Sequence, residues 1–204
     1  MRGGKCVPMM ALCLLLCGCG GETEDRTETL LEPYRTMAGC AMEAEVTCGG
    51  TEETLTYALR CDYVPGGRST VEVLSPETAA GIRATVEGEE MALEYEGLCL
   101  PVGRQGSGSP AACLPRLMDA LRDGWLLEEN RETWGETPCL RLTVDRSGIG
   151  DGKILSTLWL RLEDGTPLRG EIAVDGEIIL TAEFTVFSFC DMMNDQGESG
   201  SAAP

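Results

Sequence analysis

The segment CAMEAEVTC (40–48) alternates without a break: Met42, Ala44, Val46 and Cys48 fall on one side, Glu43, Glu45 and Thr47 on the other. Period two marks a strand with one face buried and one in water. After the turn GGTEET, LTYALRCDYV (55–64) repeats the pattern with Leu55, Tyr57, Leu59, Cys61 and Tyr63 in phase. Two such runs around a Gly-rich turn make an antiparallel hairpin. Its register sets Cys48 near Leu55 and Cys61 near Met42, so these two cysteines are too far apart along the ladder to bond.

The alternation recurs down the chain. PGG (65–67) leads into STVEVLS; IRATVEG, MALEYEG and LCLPV follow. The last third reads WLLEENRETW, PCLRLTVD, ILSTLWLRLED, PLRGEIAVD and IILTAEFTVFSFC, with Asp175-Gly176 as the strongest hairpin signal. The total is about ten short strands, and their tight turns favour sequential up-and-down pairing. Two segments read as helices. In TETLLEPYRTMA (27–38), Leu30, Leu31 and Tyr34 lie near a 3.6 period and Gly39 follows as a stop; Pro33 suits the first position of a helix starting near Glu32. Beyond the Gly/Ser loop GRQGSGS (103–109), Ser109 is placed to cap PAACLPRLMDALRDG, whose apolar stripe is Leu114, Leu117, Met118 and Leu121. SPETAAG (75–81) predicts one helical turn capped by Ser75. A long antiparallel sheet curls and its apolar face must be covered, which two helices do on one concave face. The class is α+β.

This order resembles the LolA/LolB-type lipoprotein carriers, and more narrowly the LolA-like lipoproteins of Gram-positive bacteria. The residues that carry it are VEVLSPETAAGIRATVEG (71–88), MALEYEGLCL (91–100), GSPAACLPRLMDAL (108–121) and DGTPLRGEIAVDGEIILTAEFTVFSF (164–189). The resemblance implies a curved antiparallel sheet forming an incomplete β-barrel, with helices over its concave face and an apolar cavity between, across a domain at 27–190.

The front end carries its own signal. Arg2 and Lys5 precede an apolar run from Val7 to Leu16, the length of a signal-peptide core and well short of the roughly 20 residues that span a bilayer. Leu16-Cys17-Gly18-Cys19 resembles the bacterial lipobox, whereas Cys17 has no small residue before it. The resemblance implies removal of 1–18, a diacylglycerol thioether on Cys19, a lipidated tether at 19–26 and a place on the outer face of the cytoplasmic membrane. Two or three acyl chains hold firmly where one holds only marginally. The polar tail 191–204 reads as disordered.

Composition narrows the chemistry. There is no histidine, which excludes Ser-His-Asp and Cys-His catalysis and His-containing zinc sites. Acidic residues number 34 against 16 basic ones, and loss of Arg2 and Lys5 with the signal widens the gap. Such a surface argues against nucleic acid. Cys40, Cys48, Cys61, Cys99, Cys113, Cys139 and Cys190 contain no C-x-x-C and are odd in number; most read as small core residues. The acidic pairs Glu52-Glu53, Glu89-Glu90 and Glu128-Glu129 sit at turns and strand ends without calcium-loop spacing, and no helix follows the Gly-rich stretch 148–152 as a phosphate loop requires. Neither a cofactor nor a metal is expected, and the chain is expected to be a monomer.

The residues expected to face inward include Met42, Val46, Leu59, Val73, Leu93, Tyr95, Leu158 and Phe184 from strands, opposite Leu114, Leu117, Met118 and Leu121 from the helix. One periodicity serves two outcomes. Either these residues line a cavity, and the protein is a non-enzymatic, membrane-anchored binder of a lipid or lipidated peptide, or they pack solid. In the second case the chain is an envelope protein-interaction or sensory module, RseB-like, with no small ligand. A cavity of several hundred Å³ favours the first, and a solid core with an exposed apolar patch favours the second. Trp125, Trp134 and Trp159 either rim a cavity or pack the sheet.

Overall fold

The computed structural model describes residues 21–49, 54–104, 106, 108–147 and 152–190. Cys19, the signal segment 1–18 and the tail 191–204 lie outside them, as does most of the Gly-rich stretch 148–152.

Eleven strands form one antiparallel sheet. They are β1 (Cys40–Cys48), β2 (Leu55–Tyr63), β3 (Arg68–Ser75), β4 (Arg83–Glu87), β5 (Glu90–Tyr95), β6 (Leu98–Arg104), β7 (Trp125–Trp134), β8 (Thr137–Asp145), β9 (Ile154–Arg161), β10 (Pro167–Val174) and β11 (Glu177–Phe189). Helix α1 (Gly21–Thr36) precedes them, and a short 3-10 turn (Pro110–Ala112) leads into α2 (Cys113–Asp123) between β6 and β7. The sheet is curved and unclosed. The first hairpin has the expected register, with Cys48 opposite Leu55 and Met42 opposite Cys61. The Asp-Gly turn is present too: Asp175 and Gly176 take φ of 52° and 87°, the double left-handed conformation of a type I′ hairpin, and join Val174 to Glu177.

Sequential pairing holds within each half and breaks at one seam. The strand order is β6-β5-β4-β3-β2-β1-β11-β10-β9-β8-β7, so the two meanders join through β1 and β11. This leaves β6 and β7 as the two free edges, and α2 is the connection that crosses from one to the other over the concave face.

Three local expectations change. Helix α1 begins earlier than residue 27, and Pro33 lies in its last turns rather than at its start. The backbone bond lost there is outweighed by burial of Leu30, Leu31 and Tyr34, whose hydroxyl donates to the Gly165 carbonyl at 2.6 Å. Ser109 makes no side-chain cap bond; its hydroxyl contacts Met91 Sδ at 3.8 Å, and the 3-10 turn starts the helix instead. Ser75 belongs to β3, where its Oγ accepts from the Ala58 N–H at 3.3 Å instead of capping, and 76–81 form a turn in which the Ala79 and Ala80 N–H groups donate to the Pro76 carbonyl at 2.9 and 3.0 Å.

Candidate functional site: the concave face and its open flank

Helix α2 lies directly on the sheet. Cys113, Leu114, Leu117 and Met118 are fully buried, and Leu121 nearly so. At Gly170 of β10 the approach is so close that an added Cβ would stand 2.5 Å from Leu117 Cδ1. The helix side chain occupies the space a β-carbon would take, so any larger residue at 170 must displace Leu117. Met42, Val46, Leu59, Leu114, Leu117, Met118, Leu121 and Leu158 join one contiguous core, with Val73, Leu93 and Phe184 packed on it half-buried. The residues expected to line a cavity thus touch one another. Two cavities flank α2. One of about 140 Å³ lies beside Leu31, Leu121 and Leu142; the other, of about 210 Å³, lies beside Arg116 and Asp119. Both are below the roughly 300 Å³ at which drug-sized pockets begin.

Tyr95 departs from expectation. It is in phase with Met91 and Leu93 on the concave face, yet it is 49% exposed and outside the core. The reason is visible along one cross-strand row: Met42, Cys61, Val71, Ala84, Leu93 and Leu100 are successive register partners from β1 to β6. The first four are buried, Leu93 is half-buried, and Leu100 is 64% exposed. The helices cover the middle of the sheet and stop short of its β5–β6 flank. On that flank Tyr95, Leu98, Leu100 and Val102 form an uncovered apolar stripe continuous with the core. Pro101 in β6 lacks a backbone donor, which discourages another strand from pairing along this edge.

The opposite flank differs. The concave partners of Leu142 and Leu140 on edge strand β7 are Glu129 and Arg131, so the row ends in charge there, while at the start of β7 Leu126, opposite Val144, and its neighbours Trp125 and Leu127 are exposed. Sequence reading placed LCLPV in a strand but did not single out Leu98, Leu100 or Val102. Their alternation was visible; their exposure was not.

The tryptophans pack the sheet's other face or lie open. Trp159 is almost buried on the convex side against Trp134, with ring centroids 5.8 Å apart, and its indole N–H donates to Glu132. The Arg169 guanidinium lies 4.7 Å from the Trp134 ring and pairs with Glu171 at 2.8 Å and Glu183 at 3.0 Å. Trp125 is exposed. All seven cysteines in the described residues are free: Cys40, Cys61, Cys113 and Cys139 are buried, Cys48 half-buried, Cys99 and Cys190 exposed. Burial, helped by the neighbouring Cys190, pushes the Cys40 thiol up to about 12. Burial also pushes the Cys113 thiol up to about 12. Neither is a nucleophile near neutral pH. Among the described residues no group of three or more Cys, Asp or Glu is placed to hold a metal, and no helix is long and apolar enough to cross a membrane.

No protein-family model and no curated protein matches the chain. Solved structures do. A LolA superfamily protein from Nitrosomonas europaea aligns at 12% identity and TM-score 0.44 over 83% of this chain and 94% of its own. LprF from Mycobacterium bovis aligns at 14% identity and TM-score 0.45 over 80% and 93%. A putative outer membrane lipoprotein-sorting protein domain from Vibrio parahaemolyticus aligns at 10% identity and TM-score 0.50 over 83% and 93%. Together with the unclosed eleven-stranded sheet and its two helices, this last likeness shows that the chain has the LolA-type incomplete-barrel fold.

Proposed function

We propose that the chain is a non-enzymatic binding protein of the bacterial cell envelope, tethered by an acylated Cys19 to the outer face of the cytoplasmic membrane, and that it docks an apolar segment of a partner protein on the β5–β6 flank. The observation that carries this reading is the row from Met42 to Leu100. It passes from full burial to 64% exposure within one continuous apolar surface. A solid core with an exposed apolar patch is the signature of an interaction module. The fold likeness supports the envelope setting, and the lipobox-like Leu16-Cys17-Gly18-Cys19 supports the tether.

A second reading, a lipid or lipidated peptide within the concave face, is favoured by the continuity of the stripe with Met91 and Leu93. It requires α2 to lift from the sheet. A photo-crosslinking amino acid at position 100, compared with one at the exposed, polar-face position 45, separates the readings in living cells. A discrete protein adduct from position 100 alone supports docking. Adducts equal at both positions, or none, count against it, and lipid co-purifying with the chain in native mass spectrometry transfers the assignment to the second reading. Cys19→Ala is expected to release the protein from membranes.

A further inference from the structure

The convex face of the sheet carries a ladder of hydroxyls. Thr143, Thr157, Glu171, Thr181, Thr47 and Thr56 are successive register partners from β8 to β2. They alternate along their strands with core residues such as Leu142, Leu158 and Ile172, so they lie on the side away from the helices. Neighbouring strands are about 4.8 Å apart, and the row offers a hydrogen-bonding group at about that interval. Threonine is common on a half-exposed strand face, so the ladder alone says little. One member behaves differently from the rest.

At the far end of the row, Thr47 and Thr56 satisfy each other, hydroxyl to hydroxyl at 3.1 Å. Thr143 is 8% exposed, and its Oγ1 is buried without a hydrogen-bond partner among the described residues. A polar group left in that state is costly to the folded chain. Thr143 also lines a hollow of about 370 Å³ that reaches from β7 to β11, a volume within the range of small-molecule sites. Leu155, Ala173 and Ile178 give this hollow an apolar floor, and Thr157 adds a second hydroxyl.

The charges around it balance. Glu128 and Glu171 face the hollow from one side of the ledger, Arg141 and Lys153 from the other, so neither an anion nor a cation gains an advantage. Both Arg169 bonds to Glu171 fall on Oε1, and a carboxylate has acceptor capacity on two oxygens. Hydroxyls donate and accept at once. Set over an apolar floor, they match a ligand of the same make: a sugar ring, with hydroxyls at its edge and C–H groups on its faces. The interval of the ladder is also close to the rise of one ring in an extended glycan chain.

We propose that this convex-face hollow binds a neutral oligosaccharide chain. Thr143, Thr157, Glu128, Glu171 and Arg141 hydrogen-bond its hydroxyls, and Leu155 and Ile178 lie under its rings. Binding draws the Thr143 hydroxyl out of its unpaired position by rotation about χ1. The inference does not rest on docking at the β5–β6 flank, which lies in the other half of the sheet.

The test is calorimetric titration of the detergent-solubilised chain with two extended neutral sugars, cellotetraose and tetra-N-acetylchitotetraose. Saturable binding of at least one is expected, weakened at least tenfold by Thr157→Val and unchanged by Thr85→Val on β4. Thr143→Val separates a binding role from a structural one. Removing a hydroxyl that the chain leaves unsatisfied is expected to raise the melting temperature, yet to weaken binding at least tenfold. No saturable binding of either sugar, affinity unmoved by both Thr143→Val and Thr157→Val, or an equal loss from Thr85→Val overturns the proposal. A protein adduct from a photo-crosslinker at the exposed position 178, with no sugar bound, overturns it in favour of a protein partner.

Discussion

The contact between Leu117 and Gly170 decides whether the concave face is filled or hollow, and a double-mutant cycle reads it directly. Adding a methyl at Gly170 places a carbon 2.5 Å from Leu117 Cδ1, 3.0 Å from Cδ2 and 3.3 Å from Cγ, so Leu117 must move within a core that leaves it no exposure. Overpacking of this kind costs about 1–3 kcal/mol, offset by about 0.4–1 kcal/mol from the reduced freedom of the unfolded chain. Gly170→Ala is therefore expected to destabilise by about 1–2 kcal/mol. Leu117→Ala removes a fully buried side chain and is expected to cost about 2–5 kcal/mol. In the double variant the new methyl enters the space Leu117 vacated, so the combined loss falls below the sum by about 1 kcal/mol or more. Urea unfolding at constant m-value supplies all four stabilities. Additive losses, with Gly170→Ala within about 0.5 kcal/mol of the parent, would refute direct packing and reopen the cavity reading.

Other outcomes follow from the same geometry. Leu98→Asp alters a side chain already in water; stability is expected to change by less than about 1 kcal/mol while the partner adduct from a crosslinker at position 100 disappears, which melting curves and crosslinking check together. Tyr63→Phe removes the donor to Asp119 Oδ1 and is expected to cost about 1.5–3 kcal/mol in urea unfolding, since the acceptor is a carboxylate. On alkylation of the folded protein near pH 8, Cys99 and Cys190 are expected to react first. Cys40, Cys61 and Cys113, raised by burial, stay unmodified until the chain unfolds, as peptide mapping reveals. At Asp164 burial acts to raise the carboxyl, but the Thr166 N–H and hydroxyl and Arg161 outweigh it and hold it below the ordinary range. Its folded value is depressed, so its contribution is present above about pH 4 and lost as pH falls further; Asp164→Asn is expected to cost under about 1 kcal/mol at pH 7 and progressively less below pH 4.

Period-two alternation made the strands legible in the sequence. CAMEAEVTC and LTYALRCDYV contained their own register, and Asp175-Gly176 its own turn, because a side chain's face and a hairpin's backbone are set by neighbours a few residues away. The helix stripe of Leu114, Leu117, Met118 and Leu121 was equally local. The seam between β1 and β11 was not, since each edge offers the same unpaired groups to any partner and only the packed whole selects one. Nor was exposure. Leu59 and Leu100 have the same pattern in sequence, yet one is buried and the other open. An α2 of 11 residues reaches about 16 Å, while eleven strands spread over about 50 Å, so some concave positions had to stay uncovered. Which flank that would be depended on where α2 came to rest, a matter of contacts between residues far apart in the chain.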